Sequence, residues 1–134
     1  MFADMGAGTP EVLDQMSRNF EPWVRARLAD GRYLGWIREE DGRAVASAGL
    51  LLVEWPPHPG HPASDVRGYI LNVFVEPAWR RGGLARILMN FCVDEARLRG
   101  IAVVTLHASE KGRALYEQLG FEASNEMLLR LPSA

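Results

Sequence analysis

The hydrophobic pattern begins at Thr9-Pro10-Glu11, where a hydroxyl able to cap a helix precedes a proline suited to the first helical position and an acid in the first turn. Val12, Leu13, Met16 and Phe20 follow at helical spacing. Pro22 offers another helix start, so the pattern predicts a second, short helix from about Glu21, with Trp23, Val24, Arg27 and Leu28 leading to a stop at Asp30-Gly31. The periodicity then changes. Tyr33 to Arg38 and Arg43 to Glu54 read as two strands of an antiparallel hairpin, joined at Asp41-Gly42, a dipeptide that tolerates the positive φ values of a tight turn.

Trp55 to Arg67 contains Pro56, Pro57, Pro59 and Pro62, which cannot donate to a regular ladder, so this stretch is expected to be a loop, either simply exposed or lining a substrate entrance. His58 and His61 lie in it without a Cys or HExxH context, and the prolines prevent the helix that would put them on one face; no metal site is expected. Tyr69 to Val75 is a nearly continuous apolar run ending at Glu76-Pro77, as in a strand buried on both faces. Arg80-Arg81-Gly82-Gly83 leads into a helical run whose core side is Leu84, Ile87, Leu88, Phe91, Cys92 and Val93, ending at Gly100. Ile101 to Ala108 reads as the next strand and Gly112 to Leu119 as a short helix. Phe121 opens a last hairpin that turns at Ser124-Asn125 and returns through Met127, Leu128 and Leu129. The sum is a single domain over 1–134 of mixed α/β class, a mixed sheet with helices on both faces.

Composition narrows the partners. The 134 residues carry a net charge of −2, with 48% apolar and 24% charged residues, and no run reaches the length of a membrane-spanning helix. Fourteen of the fifteen basic residues are arginines scattered along the chain except for the pair Arg80 and Arg81, so neither a nucleic acid nor a membrane is expected as partner. The single cysteine, Cys92, excludes an intramolecular disulfide, and Met1 to Pro10 lacks the order of a secretory signal; a cytoplasmic protein is expected.

The strand, glycine turn and helix from Tyr69 to Gly100 have a chemical use. The first turn of a helix leaves backbone N–H groups unpaired at the positive end of the helix dipole. Gly82 and Gly83 clear side chains from those amides, and Arg80 or Arg81 adds charge-assisted hydrogen bonds, which suits a pyrophosphate. The alternative is that the glycines merely make a tight turn. Neither GxxxxGK[ST] nor GxGxxG spacing is present.

Val75-Glu76-Pro77 followed by Arg80-Arg81-Gly82-Gly83-Leu84-Ala85 matches the pattern V-x-P then [QR]-x-x-G-x-[GA], and Tyr116-Glu117-Gln118-Leu119-Gly120-Phe121 matches Y-E-x-x-G-F. In these two elements, and over about Tyr33 to Leu131, the chain resembles the GNAT superfamily of acyl-CoA-dependent N-acyltransferases. The resemblance implies a mostly antiparallel sheet flanked by helices and acetyl-CoA as cosubstrate. It implies that Val73 and Val75, with Phe74 between them, pair with the pantetheine arm as an added strand would. Arg80, Arg81, Gly82, Gly83, Leu84, Ala85 and Arg86 would hold the pyrophosphate, with Ser109 and Arg113 as further CoA contacts. Ser109 stands where the family usually has an asparagine, and its hydroxyl can still hydrogen-bond CoA. Asn72 would lie near the acetyl group where strands splay apart, or else it satisfies a bulge or adjoining loop. The family's usual first strand and helix are expected to be absent here or reduced to Met1 through Gly8. That loss would leave Tyr33 to Arg38 as an edge whose apolar Tyr33, Leu34, Trp36 and Ile37 invite a second copy, so a homodimer is expected.

Attack of an amine on a thioester needs a neutral nucleophile and a protonated leaving sulfur. A lysine-like amine has a pKa of ~10.4, so the site must favour its neutral form or supply a base. Tyr116 is the candidate acid for the departing thiolate, or an aromatic core residue beside Leu115 and Leu119. His107 is the candidate base, or a structural histidine; Glu126 and Glu54 are weaker candidates, and a water chain is another. The function read from the sequence is transfer of acetyl from acetyl-CoA to an amine acceptor, a small molecule or a peptide, in a ternary complex. The second reading is a non-catalytic acyl-CoA sensor.

Overall fold

The computed structural model describes residues 9–132. Its first helix, α1, is a single element from Pro10 to Asp30 rather than the two expected. Thr9 caps it, its Oγ1 accepting from the Val12 amide at 3.3 Å, and Gly31 ends it in the left-handed conformation at φ 81°. Pro22 inside the helix removes one backbone donor, a cost met by continuity on both sides of it. Phe20 stacks on Trp23 at 5.8 Å across the proline, and the Trp23 ring meets Tyr33 edge-on at 6.3 Å, so both halves are anchored on the same surface.

Four strands follow in the order β1 (Tyr33–Glu40), β2 (Arg43–Glu54), β3 (Val66–Val75) and β4 (Val104–Leu106), hydrogen-bonded in that sequence. The first three are antiparallel and β4 is parallel to β3. Asp41 and Gly42 both take positive φ, 52° and 75°, giving the two-residue turn that matches the twist of a hairpin. Helix α2 (Leu84–Leu98) covers one face, with Leu88, Met89, Cys92 and Ala96 against Ala46, Ala48, Leu50 and Ile70. Leu50, Ile70 and Met89 are almost wholly removed from water, each contributing about 2 kcal/mol. Helix α1 lies on the opposite face over Tyr33, and α3 (Glu110–Gln118) places Tyr116 in the same core as α2. Among the described residues no helix is long and apolar enough to cross a membrane.

Two expectations fail at the C-terminal side. The strand expected over Ile101 to Ala108 is only Val104–Leu106, because β3 offers it Gly68, Tyr69 and Ile70 as partners before turning away. The expected last hairpin does not form. Among the described residues none beyond α3 is in a strand, and Met127, Leu128, Leu129 and Leu131 are 92%, 70%, 79% and 78% exposed. An edge of three paired residues in β4 gives a returning strand few groups to bond.

Among the described residues β1 is an edge strand, but it is less inviting than its sequence suggests. Tyr33 is buried, Leu34 and Trp36 pack into the core, and the Trp36 ring stacks on Phe91 at 6.5 Å, leaving only Ile37 outward. A register shift at Arg38/Glu39 and a charged end, with Arg38 paired to Glu40, further disfavour edge-to-edge pairing. Met1 to Gly8 lie outside the described residues.

Candidate active site at the divergence of two strands

The site is built where β3 leaves β4. Pairing between them ends at Ile70–Leu106, and on its other side β3 carries a bulge: Ser47 pairs with Phe74 and Gly49 with Leu71, so Asn72 and Val73 together oppose Ala48. Asn72 sits in the left-handed region at φ 57°, which asparagine tolerates better than most side chains. Two contacts hold it there. Ser47 Oγ donates to the Asn72 carbonyl at 2.9 Å, and Asn72 Nδ2 donates to Tyr33 Oη at 3.0 Å. The tyrosine reaches that far because Gly49 has no side chain; a Cβ there would fall 1.9 Å from Tyr33 Oη. Burial raises the Tyr33 phenol above its ordinary range, with the Asn72 hydrogen bond opposing.

The divergence opens a cavity of about 80 Å³ lined by Ile70, Leu71, Asn72, Val73, Leu106, His107, Ser109 and Tyr116. Tyr116 approaches from the core face. It is 9% exposed, packs edge-on against Phe121 at 6.1 Å, and burial raises its phenol above the usual value, so it is protonated at neutral pH. Its ring fits because residue 112 is glycine, where a Cβ would come within 2.8 Å of Tyr116 Cε2. His107 approaches from the other face. Tyr69, which pairs with Thr105 in register, shares that face, and its hydroxyl is hydrogen-bonded to His107 Nδ1.

At the far end of β3 a short 3-10 turn (Pro77–Trp79) leads to a backbone that passes twice through the left-handed region, at Arg81 (φ 70°) and Gly83 (φ 81°), before α2 begins. Ile87 to Gly83 is the first intrahelical bond, and no side chain caps the helix, which leaves the amides at its start facing outward. Arg81 makes no hydrogen bond or ion pair with a described residue. Arg80 is committed elsewhere, its Nε donating to the Val75 carbonyl at 2.9 Å, and Arg86 donates to Gln118. The arrangement can take a phosphate on the α2 amides with Arg81 beside it.

Of the residues singled out from the sequence, the structure thus brings Asn72, Val73, His107, Ser109 and Tyr116 around one cavity and sets Arg80 to Arg86 at the adjoining helix start. Phe74 and Val75 continue the β3 edge beyond its pairing with β4. Ser109 caps α3, its Oγ accepting from Gly112 N at 3.1 Å. Arg113 pairs with Glu117 at 3.7 Å and, with Glu126, borders a wider cavity of about 870 Å³ between β4, α3 and the C-terminal segment. Glu54 lies opposite Val66, at the other end of β3 from Asn72. The proline-rich loop is ordered by its histidines. His58 and His61 form a bridge, His61 Nδ1 donates to Ser64 O at 2.8 Å, and His61 Nε2 accepts from Arg67 Nε at 2.8 Å, so both ring nitrogens of that buried residue are used. Tyr33, Gly49 and Tyr69 escaped the sequence reading, since only their placement across strands reveals them; the alternation of polar and apolar positions gives no sign of it.

A model of the acetyltransferase (GNAT) family matches residues 4–121. A solved GCN5-related N-acetyltransferase from Ralstonia eutropha JMP134 is 42% identical, with a TM-score of 0.89 over 97% of this chain and 85% of that one. A predicted acetyltransferase from Clostridium acetobutylicum, solved with acetyl-CoA, is 28% identical, with a TM-score of 0.88 over 97% and 82%. The ribosomal protein bS18-alanine N-acetyltransferase of Escherichia coli K12 is 38% identical over 124 residues, 88% of this chain and 74% of that protein. A bulged strand diverging from its neighbour, an uncapped glycine turn at the head of the following helix and these likenesses all lead to one assignment: the chain belongs to the GNAT family of acetyltransferases.

Proposed function

We propose that the protein transfers the acetyl group of acetyl-CoA directly to a primary amine of a small molecule or peptide, both substrates being bound together. The observation that carries this reading is the strand divergence, which exposes one small cavity to a protonated phenol on one face of the sheet and an imidazole on the other. A thioester in that opening is reachable from both sides at once, as direct attack requires.

The residues fit the cosubstrate. The α2 amides from Gly83 to Arg86 and the uncommitted Arg81 would hold the pyrophosphate, and the free edge of β3 would align the pantetheine arm, with Val73 the better placed because the Val75 carbonyl already accepts from Arg80. The bulge interrupts the ladder at Asn72 and Val73, leaving backbone groups that can polarise the acetyl carbonyl. His107 takes a proton from the amine as the C–N bond forms, and Tyr116 gives one to sulfur as the C–S bond breaks. The likeness to an alanine N-acetyltransferase favours an α-amine among possible acceptors.

Replacing Tyr116 with Phe tests the assignment, since it removes the hydroxyl and keeps the packed ring. Turnover should fall roughly ten- to ten-thousand-fold while acetyl-CoA affinity is nearly unchanged. Full activity in Tyr116→Phe would remove the tyrosine from the mechanism.

A further inference from the structure

His107 is an exposed side chain beyond the end of β4, where nothing in its own strand fixes the ring. Its one side-chain hydrogen bond is to Tyr69 on β3, with the two rings 5.5 Å apart and tilted by 57°. Thr105, opposite Tyr69 in register, puts the Tyr69 and His107 side chains on the same face of the sheet, where His107 lines the cavity and Tyr69 stands behind it. Building on the assignment of His107 as base, we propose that Tyr69 is a positioning residue that keeps the proton on His107 Nδ1 and leaves the Nε2 lone pair open to the incoming amine.

The argument rests on what a neutral imidazole can offer. It has one N–H and one lone pair, and the partner at one nitrogen decides the state of the other. If the phenol donated to Nδ1, Nε2 would carry the proton and could not accept another. If Nδ1–H donates to the Tyr69 oxygen, Nε2 is free, and the phenol proton turns to solvent. Only the second arrangement also survives the reaction. When Nε2 takes the amine proton, the imidazolium has two N–H groups, and the phenol oxygen still accepts from Nδ1 without reorienting. The hydrogen bond is thus in place before the charge develops, and no rotation is needed as it does. In the step itself the amine nitrogen forms its bond to the acetyl carbon, its proton passes to Nε2, the C–S pair leaves with sulfur, and Tyr116 protonates that sulfur. Water then returns a proton to Tyr116 and removes one from His107. Holding the exposed ring in one orientation also relieves the reacting complex of a rotamer cost it would otherwise bear.

A double-mutant cycle of Tyr69→Phe, His107→Gln and the pair separates the two claims, together with nitrogen-15 chemical shifts of the His107 ring. The substrates are acetyl-CoA and the fastest acceptor from a panel of polyamines, amino acids, aminoglycosides and alanine-led peptides. Tyr69→Phe should lower kcat about tenfold with KM for acetyl-CoA unchanged, a fraction of the roughly hundred- to ten-thousand-fold worth of a general base. In the His107→Gln background the same change should have no effect. Neutral His107 should be protonated at Nδ1 in the parent protein and shift toward Nε2 in Tyr69→Phe, a readout independent of activity. Equal losses in both backgrounds, or an Nε2-protonated ring in the parent, would overturn the role of Tyr69 while leaving His107 as base. Full activity in His107→Gln would overturn the base assignment itself, and the proposal with it.

Discussion

Gly49→Ala probes the support beneath the bulge. Gly49 does not take a positive φ, so alanine is acceptable to the main chain there and even restricts the unfolded state, a gain of about 0.4–1 kcal/mol. The obstacle is Tyr33. The new methyl would lie 1.9 Å from its Oη, 2.4 Å from Cζ and 3.1 Å from Cε2, distances that force the ring off Gly49. Tyr33 cannot move without giving up the 3.0 Å hydrogen bond from Asn72 and its edge contact with Trp23. Overpacking costs about 1–3 kcal/mol and the hydrogen bond about 1 kcal/mol, so the net loss should be about 1–3 kcal/mol after the entropic gain. For a domain of this length that is a drop of about 4–10 °C in Tm. Thermal and urea unfolding followed by circular dichroism would measure it, and turnover should fall alongside as the bulge loosens. The same substitution in a Tyr33→Ala background has no ring to collide with and should be neutral or slightly stabilising. A Gly49→Ala protein as stable as its parent, or an equal loss in both backgrounds, would refute the reasoning.

Gly83→Asp should abolish acetyl-CoA binding measured by calorimetry, because it places a carboxylate at the amides of α2; aspartate tolerates the left-handed φ of 81° well enough to fold, and unchanged affinity would discard the site. Burial pushes the Cys92 thiol up to about 12, above its unfolded value, so the native state holds its proton longer and stability must fall as pH rises from about 9 through 12, by up to ~4 kcal/mol. Urea midpoints across that range should show the fall, and Cys92→Ala should reduce it without removing it, because the buried tyrosines 33 and 116, also raised by burial, add a decline of the same sign above about pH 10. The buried thiol should also resist alkylation in the native protein at pH 8.

Features set by neighbours in sequence were legible before the structure. Thr9 caps α1, Asp41-Gly42 turns the hairpin, Gly31 stops the helix, and the glycines at 82 and 83 stand at the head of α2 as their local chemistry requires. Features that depend on distant partners were not. Pro22 signals a helix start in isolation, yet Phe20, Trp23 and Tyr33 carry one helix through it. The bulge was one of two readings of Asn72, and its supports, Tyr33 and Gly49, lie on two other strands. The length of β4 is set by where β3 turns away, which no property of residues 101–108 encodes. Met127, Leu128 and Leu129 have the composition of a strand but lack an edge long enough to receive them. At the site, the family pattern marked Tyr116 and the glycine turn, whereas Tyr69 is tied to His107 only through pairing of β3 with β4.

Thiol release from acetyl-CoA, followed across a panel of polyamines, amino acids, aminoglycosides and alanine-led peptides, tests the central claim most directly. The account predicts release that depends on one class of primary amine, with matching acetylated product by mass spectrometry, and loss of that release in Gly83→Asp. Acetyl-CoA that binds tightly yet yields no amine-dependent thiol with any acceptor would contradict catalysis and leave a sensor, and absence of binding would contradict the site as well.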